Sequence, residues 1–235
     1  WIPDSNQYSF TKNRYSEIHL GSEANSNTKV LITVKEFNEL FKTELSSFFG
    51  YQWQDAKTLL LTIKNEFIAV NPHTKTLVSR TKINEAAENV SSSKNGLVYA
   101  YTKGNNLFAQ IDNKEVQITD FNAEIVSGQA IARSEFGISN GIFISPDAKY
   151  IAFYQKNESE VAQYPLLDIT STPGTLNNIR YPMAGQKSEK PRVGIYSIES
   201  GKTVYVSPRG APDDYLTNFA WTLDSKAFTI AEVNR

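Results

Sequence analysis

Apolar and polar residues alternate with a period of two along most of the chain, and short polar turns interrupt the alternation at recurring places. In the clearest case, residues 146–149 (PDAK) precede the alternating run 150–154 (YIAFY). An Asp side chain such as that of Asp147 hydrogen-bonds its own backbone in a turn, and Pro146 presets φ for the start of the turn. A period-two run behind such a turn predicts a hairpin strand with two distinct faces.

The same plan recurs along the chain: an apolar or aromatic lead, a polar turn that usually holds Asp and Lys, and an alternating run. The repeats begin at Trp1, Tyr51, Asn89, Gly141 and Phe219, and their clearest turns are at Asp55, Asp147 and Asp224. The third repeat is a weaker member, with Ser-Lys-Asn-Gly at residues 93–96. Further polar turns at residues 71–73, 112–114 and 199–201 predict a second hairpin after most first hairpins.

Two hairpins in each repeat make a four-stranded sheet, and four-stranded units about 40–50 residues apart are typical of propeller blades. The pattern therefore predicts an all-β chain, a β-propeller of four-stranded antiparallel blades, present over residues 1–235 as a partial propeller. An all-β sandwich is the alternative, and we favour the propeller because the turn recurs with the strands in the same order. One helix is expected at residues 33–45, where Phe37, Leu40, Phe41 and Leu45 follow helical spacing.

The composition excludes several functional classes. Lys and Arg number 24 against 25 Asp and Glu, a net charge of -1, so we expect no nucleic acid partner. The chain has no cysteine, which excludes a thiol nucleophile, a disulfide and a Cys-based metal site. No apolar run approaches the roughly 20 residues that a membrane-spanning helix needs, and no signal peptide opens the chain.

Residues 137–141 (GISNG) match the G-x-S-x-G pattern of a hydrolase nucleophile elbow and make Ser139 a candidate nucleophile. An elbow requires a helix after the second glycine, whereas the pattern here predicts a strand. The two histidines, His19 and His73, lack metal-ligand spacing and flank no carboxylate cluster. We therefore expect Ser139 to belong to a loop, and we expect no catalytic residue, no metal and no cofactor in this chain.

Three segments in succession carry a family resemblance: residues 127–161, residues 164–169 (YPLLDI) and residues 177–185 (NNIRYPMAG). In this order the chain resembles the N-terminal propeller region of the dipeptidyl peptidase IV family of serine peptidases, and within it the bacterial branch that includes the prolyl tripeptidyl peptidases. The resemblance implies an eight-bladed propeller covering an α/β-hydrolase domain that carries the Ser-Asp-His triad and is absent from residues 1–235. It also implies a peptide substrate and a periplasmic or secreted location, and it is compatible with a homodimer.

By the same resemblance, Glu135 in residues 132–138 (ARSEFGI) takes the place of the family glutamate that binds the free N-terminal ammonium of the substrate. The alternative is a loop carboxylate that caps a backbone N–H. The chain departs from the family pattern at four places. Ser134 precedes Glu135 where the dipeptidyl branch often has a second glutamate, and residues 62–72 contain no match for the family's substrate-contacting arginine. In the turn motif, Ile144 replaces a tryptophan and Ala148 replaces a glycine. The number of residues removed from the substrate, two or three, stays open.

The expected function is therefore the substrate-gating and N-terminus-recognising propeller portion of a prolyl-specific serine aminopeptidase. Peptide hydrolysis would be carried out by a hydrolase domain that is not in this chain. The alternative is a non-catalytic propeller that serves as a binding scaffold.

Overall fold

The computed structural model describes residues 1–234, and for residues 25, 26 and 133 it describes the backbone alone. The described chain divides into two compact units. The first comprises residues 1–85 and 94–96, and the second comprises residues 86–93 together with the chain from residue 97 onwards.

The first unit contains a three-stranded and a four-stranded antiparallel sheet, each with its strands in chain order. The three-stranded sheet consists of β1 (Gln7–Lys12), β2 (Glu17–Ser22) and β3 (Asn25–Thr33). The four-stranded sheet consists of β4 (Gln52–Trp53), β5 (Leu59–Ile63), β6 (Glu66–Asn71) and β7 (Thr76–Lys82). Buried aliphatic residues from both sheets form one core, which includes Ile18, Ile32, Leu59 and Ile68.

Helix α1 (Val34–Phe41) follows β3 and is shorter than the predicted 33–45. The hydroxyl of Thr33 caps it by accepting from the backbone N–H of Glu36 at 3.1 Å. Lys42 then adopts a left-handed conformation that ends the helix. Phe37 and Phe41 are buried in the core, whereas Leu40 lies in the helix but is 44% exposed.

The second unit begins with a four-stranded antiparallel sheet in the order β11, β10, β9, β8. Its strands are β8 (Glu88–Ser92), β9 (Val98–Lys103), β10 (Asn106–Ile111) and β11 (Lys114–Gln117). The next sheet consists of β12 (Ile125–Ser127), β13 (Ile142–Ile144), β14 (Tyr150–Asn157), β17 (Lys190–Ser197) and β18 (Lys202–Val206). Two hairpins complete the unit: β15 (Gln163–Asp168) with β16 (Thr175–Arg180), and β19 (Tyr215–Trp221) with β20 (Phe228–Val233).

The sheet around β14 is a four-stranded blade whose first strand is interrupted. Both β12 and β13 pair with β14, so that Ser127 lies opposite Gln155 and Ile142 lies opposite Phe153. Residues 128–141 leave the sheet between these two short strands. A short 3₁₀ helix, Ala132–Gly137, forms within this excursion and carries Glu135.

The three turns that the repeat predicts share one hydrogen-bond pattern. In each, an Oδ1 atom accepts from the backbone N–H two residues further on, at 2.7 Å for Asp55, 3.1 Å for Asp147 and 3.2 Å for Asp224. In the last two turns a hydroxyl, of Ser145 or Thr222, also donates to the carboxylate at 2.7 Å. These hydrogen bonds hold the pKa of all three aspartates below the ordinary value.

The prediction of an all-β chain of four-stranded antiparallel blades, present as a partial propeller, is confirmed. Nearly all regular structure in residues 1–234 is antiparallel sheet, and no closed barrel occurs there. The turns at Asp55, Asp147 and Asp224 lie between paired strands, as the repeat predicts, and the weaker third repeat turns at residues 93–96.

Candidate functional site

The loop that carries Glu135 is attached to the sheet through one residue of β14. Gly128 donates its N–H to the carbonyl of Tyr154 at 2.8 Å, and the N–H of Tyr154 donates to the carbonyl of Gly141 at 2.9 Å. Gly128 has φ +79°, and a β-carbon on Gly141 would lie 2.3 Å from the carbonyl carbon of Gln129. Both ends of the loop are glycine because backbone conformation and close backbone approach leave no room for a side chain.

This geometry accounts for the glycine pattern around Ser139. Gly141 is required where the loop returns to the sheet, and strand β13 follows it immediately. Since a nucleophile elbow needs a helix at that point, the structural context supports the interpretation of Ser139 as an exposed loop residue.

Within the loop the backbone repeatedly adopts the left-handed conformation. Ala132, Ser134 and Phe136 have φ values of 51°, 62° and 56°. Such values are uncommon for non-glycine residues and cluster at functional sites, where the surrounding structure holds the strain. Here buried Ile131 and Ile138 anchor the two ends of the turn. Glu135 therefore projects from a short segment that is held on both sides.

Glu135 lines a cavity of about 280 Å³, which we call the acidic cavity. Its wall also includes residues 182–186, Glu189 and Tyr215, and no lysine or arginine is among the described residues that line it. The ring of Tyr215 packs 4.8 Å from that of Phe136. Two segments that carry the family resemblance, about 50 residues apart in the chain, thus meet at one site.

The two carboxylates of the acidic cavity have different surroundings. Glu189 Oε1 accepts from the backbone N–H of Ala132 at 3.0 Å, and Oε2 lies 3.3 Å from Lys156 Nζ. Lys156 also lies 2.6 Å from Glu158. Burial lowers the pKa of Lys156, but the two carboxylates outweigh burial, so the net effect is a pKa above the ordinary value. Glu189 therefore forms an ion pair within the protein, with a lysine that it shares with Glu158.

Glu135 has no such partner. Its side chain is exposed, and among the side chains and backbone groups that the structure describes, none donates to its carboxylate; the side chain of Arg133 is outside this description. The backbone carbonyl of Glu135 accepts from the N–H of Ile138 at 3.0 Å. The alternative that we considered for Glu135, a carboxylate capping a backbone N–H, describes Glu189 instead.

Comparison with known protein families decides the classification of the chain. Residues 46–235 match the family described as the dipeptidyl peptidase IV (DPP IV) N-terminal region. The chain belongs to this family. The match covers both the Glu135 loop and residues 181–185, the two segments that meet at the acidic cavity.

Relatives and solved structures agree with the family assignment. The "Probable dipeptidyl-aminopeptidase B" of Pyrenophora tritici-repentis is 28% identical over 159 residues, which cover 57% of this chain and 18% of that protein. A candidate dipeptidyl aminopeptidase IV from Bacteroides ovatus has a crystal structure that superposes with a TM-score of 0.84 at 32% identity, covering 97% of this chain and 34% of the other. Porphyromonas gingivalis dipeptidyl peptidase 4, at 19% identity and a TM-score of 0.71, shares the fold, with 99% of this chain and 35% of that one covered. The chain thus spans about a third or less of these proteins.

Sequence reasoning alone did not find Glu189, Lys156 and Tyr215. The lysines and glutamates among residues 186–192 are typical of a solvated loop, but the side chain of Glu189 is only 14% exposed. No local pattern distinguishes this glutamate from its exposed neighbours; its position shortly after the family segment 181–185 is the only signal that could have pointed to it.

The structure shows the surroundings of two residues that depart from the family pattern. Ala148 has φ +58°, a left-handed conformation that suits the glycine usual at this turn. Ile144 lies in β13 and packs against a core that includes Val98, Ile142 and Phe153.

Among the described residues, no group of three or more His, Asp or Glu side chains is arranged to hold a metal ion. None of the helices within residues 1–234 has the length and hydropathy needed to cross a membrane.

Proposed function

We propose that this chain is the substrate-gating and N-terminus-recognising propeller portion of a prolyl-specific serine aminopeptidase. A C-terminal α/β-hydrolase domain outside residues 1–235 carries out the peptide hydrolysis. The protein acts in the periplasm or outside the cell on peptides that have a free N-terminus.

The observation that carries the proposal is the carboxylate of Glu135, which forms no ion pair with the described residues and lies in a cavity whose other carboxylate is already paired with Lys156. A carboxylate that has no internal cation forms a strong charge-assisted hydrogen bond with an ammonium group. If Glu135 binds the N-terminal ammonium of the substrate, the fixed distance from Glu135 to the catalytic serine of the hydrolase domain sets how many residues precede the cleaved bond. The relatives named above are dipeptidyl aminopeptidases, which favours removal of two residues rather than three.

The size of the relatives supports the hydrolase domain. The chain covers 18% of the fungal protein and 34% of the Bacteroides ovatus chain, so these relatives contain large regions beyond the part they share with it. The proposal assigns the catalytic triad to such a region and assigns binding of the substrate terminus to Glu135.

The test compares Glu135→Gln with the unsubstituted protein in its natural full length. The substrates are Xaa-Pro chromogenic peptides with a free or an acetylated N-terminus, and Xaa-Xaa-Pro peptides measure how many residues are removed. Loss of one desolvated charge pair costs about 2–5 kcal/mol, so Glu135→Gln should lower kcat/KM for the free peptide roughly 30-fold or more. The acetylated peptide should be cleaved poorly by both proteins.

Glu199→Gln, a change of the same chemistry at an exposed turn between β17 and β18, is the matched control and should leave kcat/KM unchanged. Equal losses for the free and acetylated peptides would contradict the role of Glu135. A full-length protein that cleaves none of these peptides would favour the binding scaffold.

We further propose that the protein forms a homodimer through the hairpin of β15 and β16. This hairpin is a sheet of its own, and its register runs from Gln163 opposite Arg180 to Asp168 opposite Thr175. Two-stranded sheets are marginal in water unless another surface covers them. This hairpin and the turn beside it expose six apolar side chains: Tyr164, Leu166, Leu167, Ile169, Leu176 and Ile179.

Leu167 and Leu176 lie opposite each other, so a charge on both should disrupt a dimer at this hairpin. The double substitution Leu167→Lys with Leu176→Lys should convert the dimer to a monomer in analytical ultracentrifugation. Val204→Lys, which adds a charge at an exposed position of β18, should leave the dimer intact. Wild-type protein that sediments as a monomer at high concentration would contradict the proposal.

A further inference from the structure

A second cavity, of about 410 Å³, lies against the β14–β17 strand pair. We call it the basic cavity, because Lys190 and Arg192 line it and no carboxylate is among the described residues of its wall. The pairing register aligns Gln155 with Arg192 and Asn157 with Lys190, and opposed residues of a sheet share a face. Four polar side chains from two strands therefore face this cavity.

Arg192 is held in a fixed orientation by neutral groups. Its Nε donates to Gln155 Oε1 at 2.6 Å, and Gln155 in turn donates to Ser127 Oγ at 2.7 Å. Gln155 and Ser127 are almost completely buried, so this chain of hydrogen bonds has little freedom to rearrange. The guanidinium also stacks on Tyr205, with Cζ 3.8 Å from the ring centroid, and has Phe121 at 5.9 Å.

None of these contacts neutralises the charge of Arg192. Its two terminal nitrogens have no acceptor among the described residues, and it forms no ion pair there. Lys190, by contrast, lies 3.0 Å from Glu160. An arginine that is oriented by a buried amide and an aromatic ring, with its terminal nitrogens unused, is prepared for bidentate binding of a planar anion.

We propose that the basic cavity binds a small organic carboxylate, with its carboxylate on the terminal nitrogens of Arg192. Ile125, Pro208 and Pro212 supply apolar wall for the body of the ligand, and Asn157 and Ser207 add polar groups. The volume suits a ligand larger than an inorganic ion. This site is independent of the acidic cavity, so its test does not depend on peptidase activity.

The experiment is isothermal titration calorimetry on the protein in its natural full length with three probes: benzoate, benzamide and inorganic phosphate. Benzoate should bind with a Kd below about 1 mM, whereas benzamide, which has the same ring but no charge, should not. Phosphate should bind more weakly than benzoate because it leaves the apolar wall uncovered. A protein that binds benzoate and benzamide equally, or that prefers phosphate, would overturn the proposal.

Two substitutions then locate the site. Arg192→Gln should weaken benzoate binding about tenfold or more, and Arg192→Lys should also weaken it, because a lysine keeps the charge but lacks the paired nitrogens. Lys202→Gln, at an exposed position of β18, is the matched control and should bind as the wild type does. Unchanged affinity in Arg192→Gln would refute the site, and if that variant fails to fold, the comparison of benzoate with benzamide on wild-type protein still decides.

Discussion

Neighbouring residues of strand β14 contribute to both the acidic cavity and the basic cavity. Gln155 and Asn157 of β14 line the basic cavity, whereas Lys156, which lies between them, reaches Glu189 of the acidic cavity. In the acidic cavity a carboxylate, Glu189, is ion-paired with Lys156 and positions the loop by accepting from the N–H of Ala132. In the basic cavity the positioning groups are neutral, and the charged group that they hold is Arg192.

The comparison separates two uses of a charged side chain. Glu189 and Lys156 form an ion pair within the protein and maintain the structure. Glu135 and Arg192 are positioned by other contacts, and neither forms an ion pair among the described residues. Substitution of the first kind should change stability, and substitution of the second kind should change binding. The following predictions test this distinction through the free energy of unfolding, measured with urea.

The largest effect is expected for Gly141→Ala. The new β-carbon would lie 2.3 Å from the backbone of Gln129, so the loop must shift, at a cost of about 3 kcal/mol. The shift should displace Glu135 and leave benzoate binding at Arg192 unchanged. Gly104→Ala is the control for an added β-carbon that meets no close contact, because nothing lies within 4 Å of the added atom. Gly104 has φ +56°, so the substitution should cost about 1 kcal/mol through its left-handed backbone alone. Equal costs at the two glycines would contradict the role of close packing at Gly141.

The next effect is expected for Lys156→Met, which leaves Glu158 and Glu189 without their shared cation. Removing one partner of such a largely buried group should cost about 2 kcal/mol. The pKa of Lys156 is raised above its ordinary 10.5, so its contribution should be complete below that pH and disappear as the pH rises through the raised pKa. The difference from wild type should therefore be constant between pH 7 and about 10 and shrink in more alkaline solution. A difference that shrinks below pH 9 would show that the ammonium is not the stabilising group.

A smaller effect, of opposite sign, is expected for Ala148→Gly. Ala148 has a left-handed backbone that costs a non-glycine residue about 1 kcal/mol, and glycine removes that cost. The variant should be more stable by roughly 0.5–1 kcal/mol. Neither peptide hydrolysis nor benzoate binding should change, because Ala148 lines neither cavity. A loss of stability would mean that the packing of the methyl group outweighs the strain.

The smallest effect on stability is expected for Glu135→Gln, below about 0.5 kcal/mol, because an exposed carboxylate without an internal partner contributes little. Glu189→Gln should cost more, about 1–2 kcal/mol, because it weakens the contacts with Ala132 and Lys156. A reversal of this order would contradict the distinction between the two glutamates and would make Glu135 a structural residue.

Much of the fold could be predicted because its signals are local. Period-two alternation predicted strands such as β14, and the aspartates at positions 55, 147 and 224 marked the turns because each hydrogen-bonds its own backbone. The predicted helix was too long because the helix ends where the backbone of Lys42 adopts the left-handed conformation. The apolar spacing of Phe37 and Phe41 carries no information about that conformation. Glu135 was named through family resemblance, and its residue type alone gave no reason to choose it over other loop carboxylates.

The sequence by itself determined the strands, most of the turns and the family, since these depend on residues close together in the chain or on segments in a fixed order. The tertiary structure decided which charged side chains form ion pairs and which have no ion-pair partner among the described residues. Lys156 contacts Glu189, 33 positions later, only because β14 and β17 pair, and the same register brings Gln155 to Arg192. A shift of that register by one residue would exchange the faces of the strand, so the positions of both cavities follow from the pairing of the strands and not from any local pattern.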